Sequence, residues 1–160
     1  MHRIFIILTL LLLPIPAWAW EARVVAVADG DTLTVEPVSG GDRIKVRLHG
    51  IDAPEKDQPD GELSRAFTFK AALYKTVDVQ PTSQGRDRYG RTVAVIILPT
   101  GEALQAALLR NGHAWVWPRY CPSCPEWDAL QEDARRNKRG LWASPDPIPP
   151  WEWRGARKRR

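Results

Sequence analysis

The alternation of hydrophobic and polar positions along the chain predicts a series of short β-strands. The pattern of β-branched and apolar side chains places them at residues 22–28, 32–38, 43–49, 77–79 and 93–97. Asp29-Gly30-Asp31 separates the first two strands and is a strong turn signal. The third strand has Ile44, Val46 and Leu48 on one face, so Arg47 lies on the opposite, basic face.

Apolar side chains that recur every three or four positions predict three helices. The first begins at Glu62 and ends near Lys75, with an apolar stripe of Leu63, Phe67, Ala71 and Tyr74. The other two span residues 102–110 and 126–139, and a glycine that favours a helix end follows each one. Five short strands, one helix after the third strand and two helices at the end predict an α+β fold, a small barrel with helices on one side.

The chain begins with a pattern that is typical of an export signal. A basic start precedes the apolar run Ile4–Leu13, and Ala17-Trp18-Ala19 supplies the small residues of a cleavage site. We expect a signal peptide at residues 1–19, a folded body at 20–143 and a tail at 144–160. The protein is then exported to the periplasm or the medium as a monomer without stable membrane insertion. An uncleaved amphipathic anchor is the alternative.

Composition describes a globular protein with a basic end. The 160 residues are 44% hydrophobic and 26% charged, and the net charge is +4. Five of the basic residues lie in the last seven positions, so the rest of the chain is close to neutral. This tail is also rich in proline and tryptophan, and its prolines favour an extended polyproline segment. It could follow phosphates or anionic lipid, or simply aid solubility.

Charged residues in the predicted loops form one candidate site. Asp31 ends the first turn, and Asp52 leaves the third strand five residues after Arg47, so a closed barrel could bring them together. Two carboxylates and a backbone carbonyl suit a hard cation such as Ca²⁺ or Mg²⁺. Arginines beside such a metal suit a phosphate, because a guanidinium donates to two oxygens at once.

Three segments in this order resemble the signatures of the staphylococcal nuclease family. They are Val27–Thr32, Arg47–Glu55 and Asp87–Arg91, and the likeness extends from about Val24 to Trp142. The resemblance implies a five-stranded OB-type β-barrel with three α-helices. It also implies a sugar-non-specific endonuclease that hydrolyses phosphodiester bonds in DNA and RNA with low sequence specificity. The expected cofactor is Ca²⁺, with Mg²⁺ or Mn²⁺ as alternatives.

The resemblance also assigns roles residue by residue. Asp31, Asp52 and the main-chain carbonyl of Ala53 match the metal ligands. Arg47 and Arg91 match the arginines that clamp the scissile phosphate, and Glu55 matches the glutamate that activates water. The expected substrate contacts are Arg88, Tyr89 and Tyr120.

Cys121 and Cys124 form a C-x-x-C pair that admits several interpretations. In an exported protein a local disulfide is favoured. Redox chemistry would need a βαβ context, and a zinc site would need two more ligands.

A second class of function is a non-catalytic OB-type module that binds single-stranded nucleic acid. Such a module needs basic and aromatic residues along a groove but has no use for Asp31, Asp52 and Glu55 beside two arginines. The residues therefore favour the enzyme.

Overall fold

The computed structural model describes residues 19–159. The predicted signal peptide, apart from Ala19, lies outside these residues. Within residues 19–159, no helix has both the length and the apolar character needed to cross a membrane.

The five predicted strands form a closed barrel. The strands of the whole structure are β1 (Trp20–Val27), β2 (Thr32–Pro37), β3 (Ile44–Leu48), β4 (Ile51–Asp52), β5 (Thr76–Arg86), β6 (Thr92–Ile97) and β7 (Trp115–Val116). The barrel order is β1-β2-β3-β6-β5, and β5 pairs with β1 to close it. The β3–β6 pair is parallel and the other barrel pairs are antiparallel. The predicted barrel is therefore confirmed.

Two short strands outside the barrel were not evident from the sequence. In β4 and β7, Ile51 pairs with Val116 and Asp52 pairs with Trp115. Strands of two residues carry too little alternation to be recognised. This pairing matters for the site because it anchors Asp52 to the backbone at Trp115.

The helices confirm the three that were predicted and add a fourth. They are α1 (Gly61–Ala72), α2 (Leu104–Arg110), α3 (Pro125–Arg136) and α4 (Pro150–Arg157), with a short 3₁₀ helix at Gly140–Ala143. The prediction of an extended segment throughout the tail is wrong for α4. Pro150 occupies the first turn of that helix, where a missing backbone N–H costs nothing.

The core fills the barrel and extends beneath α2. Side chains from alternate strand positions are fully buried, among them Leu33, Val35, Val46 and Ile96. Leu104 and Leu108 from α2 are buried against the same cluster. The alternation that predicted the strands therefore reflects a single interior.

Helix α1 turns a polar face inward and buries only part of its predicted apolar stripe, since Phe67 and Ala71 are half-buried against the core. Leu63 and Tyr74 are largely exposed, whereas Ser64 and Thr68 are fully buried. The Ser64 hydroxyl donates to the carbonyl of His113 at 2.7 Å, and the Thr68 hydroxyl donates to the carbonyl of Gly30 at 2.6 Å. The helix therefore serves as a hydrogen-bonding support for the β1–β2 turn.

We predict that Thr68→Val destabilises the fold by about 1–3 kcal/mol, because it keeps the side-chain shape but leaves the buried Gly30 carbonyl without its donor. Urea unfolding measures the change in the free energy of unfolding. Thr76→Val, at an exposed position of β5, is the matched control and should change it little. Equal effects of the two substitutions would contradict the supporting role of Thr68.

Candidate functional site

The β1–β2 turn presents Asp31 at the mouth of the barrel. The side chain of Asp29 accepts a hydrogen bond from the Asp31 N–H at 3.0 Å, which closes the turn. Gly30 lies so close to α1 that a methyl group there would collide with the Ser64 hydroxyl. Asp31 is consequently buried and fixed, and its Oδ2 accepts a hydrogen bond from the Ala53 N–H at 2.6 Å.

Arg47, at the end of β3, connects two acidic side chains. Its Nη1 lies 3.0 Å from Asp31 Oδ2 and donates to the Leu48 carbonyl at 3.0 Å. Its Nη2 donates to Asp52 Oδ1 at 2.8 Å. The side chain is only 10% exposed. The strand face that the sequence predicted to be basic and available therefore carries a buried ion-pair network.

Asp52 and Glu55 follow β3 across a tight turn. Asp52 in β4 is 1% exposed, whereas Glu55 is about one-third exposed. The backbone N–H of Glu55 donates to the side chain of Gln58 at 3.1 Å, which fixes the loop between them. Asp31, Asp52 and the main chain at Ala53 thus lie together, as the spacing along the sequence predicts.

Arg91 reaches the same place from the β5–β6 loop. Its Nη1 donates to the Thr32 hydroxyl at 3.1 Å, next to Asp31. Asp87 holds it there by accepting from Arg91 Nε at 2.7 Å and from the backbone N–H groups of Tyr89 and Arg91. Burial opposes the charge of Asp87, but these hydrogen bonds outweigh it and hold the pKa of this carboxyl below its usual value.

The predicted substrate contacts line a cleft of about 820 Å³ beside the arginines. Tyr89 is largely exposed, and the guanidinium groups of Arg88 and Arg91 lie 4.9 and 5.4 Å from its ring centroid. Tyr120 also lines the cleft and packs edge-on against Trp117, with ring centroids 4.6 Å apart. The cleft therefore combines cationic groups with exposed aromatic faces.

Arg154 of α4 completes the ion-pair network, and the sequence reasoning did not identify it. Its Nη2 lies 2.7 Å from Asp52 Oδ2, and its Nη1 lies 2.6 Å from Glu55 Oε1. Trp151 and Arg154 are one helical turn apart, and proline at the start of α4 is a helix signal that could have been recognised. No local pattern indicates their partners, which lie about a hundred residues earlier in the chain.

Burial and like charges shift the protonation of this cluster. Burial, reinforced by the charge of Asp31, raises the pKa of Asp29 to about 7. Burial also raises the pKa of Asp52 to about 6, although hydrogen bonds from Arg154 act in the opposite direction. Burial opposes ionisation of Arg154 as well, but its hydrogen bonds to Asp52 and Glu55 prevail and raise its pKa.

The oxygen atoms of this cluster suit a hard divalent cation by their chemistry. Asp31 and Asp52 offer carboxylates, and Ala53 offers a main-chain carbonyl beside them. In the arrangement described for residues 19–159, no three His, Cys, Asp or Glu side chains form a metal cage. The carboxylates of Asp31, Asp52 and Glu55 contact the guanidinium groups of Arg47 and Arg154 instead.

A disulfide joins Cys121 and Cys124 in the loop before α3. Cys121 is buried against the barrel core, and Cys124 immediately precedes Pro125, the first residue of the helix. The bridge therefore constrains the loop that carries Tyr120 into the cleft.

The chain matches known proteins over most of its length. Residues 45–144 match the family model described as "Staphylococcal nuclease homologue". An "uncharacterized endonuclease" of Escherichia coli is 42% identical over 82% of this chain and 83% of its own. A protein of the same description from Haemophilus influenzae is 39% identical over 85% of this chain and 74% of its own. A "micrococcal nuclease" of Shigella flexneri is 38% identical over 84% of this chain and 80% of its own.

We predict that the protein, kept free of metal by a chelator, loses stability as the pH rises from about 4 to about 7. The pKa of Asp52 is raised in the folded state, which means that the folded protein binds a proton on this carboxyl more tightly than the unfolded chain does. The contribution of Asp52 is therefore full below about 3.9 and is lost as the pH rises through about 6.

Asp52→Asn tests this dependence because it retains an oxygen for Arg47 but cannot ionise. Urea unfolding across this pH range should show a decline that is smaller by about 1–3 kcal/mol than in the unmodified protein. Asp78→Asn, on the exposed side of β5, is the control. A decline of the same size in Asp52→Asn and the unmodified protein would refute the assignment to Asp52.

Proposed function

The chain belongs to the staphylococcal nuclease family and is a nuclease, and we propose that it is a metal-dependent endonuclease that hydrolyses DNA and RNA with low sequence specificity. The main support is the convergence of Arg47 and Arg91 on the carboxylates of Asp31 and Asp52. Arg47 contacts both carboxylates, and Arg91 contacts Thr32 beside Asp31. We further propose that it acts as a monomer, since one chain supplies all these groups.

The arginines explain how the site would favour hydrolysis. Breaking a phosphodiester bond concentrates negative charge on the phosphoryl oxygens, and cations that are already oriented stabilise this charge without reorganising. Contacts with the Leu48 carbonyl and two carboxylates fix Arg47, and Asp87 fixes Arg91. Both guanidinium groups can donate to two phosphate oxygens at once.

Glu55 is the group that would orient the attacking water and accept its proton. It is more exposed than Asp52, so water reaches it more easily. The N–H of its own backbone is held by Gln58, which limits the movement of the loop. General bases in such positions typically contribute about 10²- to 10⁴-fold to the rate.

The metal would be held by Asp31, Asp52 and the main-chain carbonyl of Ala53, with Ca²⁺ as the proposed ion. When bound, it supplies further positive charge for the phosphate. The remaining parts of the cleft bind the strand: Arg88 suits phosphates, and the rings of Tyr89 and Tyr120 suit unpaired bases.

We also propose that the protein works outside the cytoplasm, in the periplasm or the medium. The export pattern at residues 1–19 supports this location. The Cys121–Cys124 disulfide is compatible with an oxidising compartment.

The first experiment mixes purified protein beginning at Trp20 with single-stranded DNA or RNA of defined length. Parallel reactions contain Ca²⁺, Mg²⁺, Mn²⁺ or a chelator, and products are separated on a denaturing gel. We expect fragments of many internal lengths with Ca²⁺ and none with the chelator. An intact nucleic acid under every metal, with a shifted band on a native gel, would favour the non-catalytic binding module instead.

We predict that Glu55→Gln lowers turnover at least about 10²-fold while nucleic-acid binding and the free energy of unfolding remain close to normal. The substitution keeps the shape of the side chain and removes the carboxylate that accepts the proton. Gel assays measure turnover, and fluorescence anisotropy of a labelled strand measures binding. Glu62→Gln, which removes an exposed carboxylate of α1, is the matched control. Loss of binding together with turnover would assign Glu55 a structural role.

A further inference from the structure

Helix α4 places a side chain on the carboxylates that the reaction needs. Arg154 contacts both oxygens of Asp52, at 2.7 and 3.3 Å, and it contacts Glu55 Oε1 at 2.6 Å. Arg47 contacts Asp52 Oδ1 at the same time. These contacts take three of the about four acceptor positions of the Asp52 carboxylate. A divalent cation that takes Asp52 as a ligand would also lie against the positive guanidinium group of Arg154, so the cation and Arg154 compete for this carboxylate.

Contacts that do not involve Arg154 hold α4 in this position. Trp151 stacks parallel to Trp117, with ring centroids 6.3 Å apart, and packs edge-on against Trp115. The side-chain amide of Gln58 donates to the carbonyl of Ile148 just before the helix, at 2.6 Å. Pro150 is buried as well. The helix is therefore seated by its own packing, which directs Arg154 to the carboxylates.

Helix α4 also forms part of the wall of the cleft. Arg47 of β3 lines the cleft, and so do Trp151, Arg154 and Gly155 of α4. Among the described residues, Asp31, Asp52 and Glu55 do not line it. A strand in the cleft would meet the guanidinium group of Arg154 before it met Glu55.

We propose that α4 is an autoinhibitory segment in which Arg154 occupies the place of the divalent cation and the attacking water. This proposal rests on the proposed function, since it describes regulation of the same site. Cation binding and the Arg154 contacts are mutually exclusive, so the cation binds only the fraction of molecules in which Arg154 has left Asp52. The apparent dissociation constant for the cation is therefore raised in proportion.

The inhibitory contact comes from the tail at residues 144–160 and not from the part of the chain that matches the family model. The match to the family model ends at residue 144, before the helix begins. The linker between the 3₁₀ helix and α4 includes three prolines. They stiffen the linker, so α4 can reach fewer positions relative to the barrel. A tethered group of this kind competes at a high effective concentration.

The test measures Ca²⁺ binding by isothermal titration calorimetry, without nucleic acid, for the purified protein and its Arg154→Gln variant. We expect Arg154→Gln to bind Ca²⁺ at least about tenfold more tightly. This is the factor expected if Arg154 leaves Asp52 accessible to the cation in about one molecule in ten of the unmodified protein. Circular dichroism and cooperative urea unfolding show that the variant is folded.

Arg157→Gln is the matched control because it removes the same charge from the same helix. Arg157 pairs with the exposed Asp57 and does not contact Asp52 or Glu55. Its effect on Ca²⁺ affinity should be less than about threefold, the part that long-range charge contributes through solvent. Equal gains from Arg154→Gln and Arg157→Gln would overturn the proposal, since net charge would then explain both.

A second variant reaches the same contact through the packing of the helix. Trp151→Ala removes the ring that seats α4 and leaves Arg154 unchanged, so it should also tighten Ca²⁺ binding. Unaltered Ca²⁺ affinity in both Arg154→Gln and Trp151→Ala would refute the autoinhibition.

Further outcomes separate this proposal from the proposed function. If neither the unmodified protein nor any variant, Arg154→Gln included, binds Ca²⁺, both the autoinhibition and the proposed Ca²⁺ dependence are overturned. Tighter Ca²⁺ binding by Arg154→Gln, without cleavage of any strand at any Ca²⁺ concentration, would support the competition and overturn the proposed nuclease mechanism.

Discussion

The structure of the site depends on the ion pairs that Arg47 makes with Asp31 and Asp52. These three side chains are almost entirely buried, so each charge has lost most of its hydration. Removing one partner from such a network typically costs about 3–5 kcal/mol, because it leaves an uncompensated charge behind. The guanidinium group of Arg47 lies between the two carboxylates and offsets their repulsion.

The topology of the barrel brings the second arginine to the same point. The parallel pairing of β3 with β6 places Thr92 opposite Val46 and Val93 opposite Arg47, so the loop that ends at Arg91 opens beside the middle of β3, close to Arg47. Arg91 leaves that loop toward Thr32 on β2. Segments from the β1–β2 turn, β3 and the β5–β6 loop therefore converge, although they are far apart in the sequence. The β4–β7 pair closes the remaining side with Asp52.

Local patterns were sufficient to predict the barrel and the cluster around Arg47. Strand alternation is a property of neighbouring residues, and Asp31, Asp52 and Arg91 lie in short segments with recognisable signatures. The orientation of α1 was not predictable in this way, since Ser64 and Thr68 face inward to satisfy carbonyls on other segments. The partners of Arg154 were equally hidden, because 102 residues separate it from Asp52.

The position of α4 after the last strand of the barrel also has a consequence for the gene. The barrel core and the 3₁₀ helix are complete before residue 144, and α4 packs onto this body through Trp151. A single premature stop codon between the triplets for residues 144 and 154 would delete Arg154 without altering any strand of the barrel. A mutation can therefore remove the proposed inhibition by α4 and leave the strands that build the site unchanged.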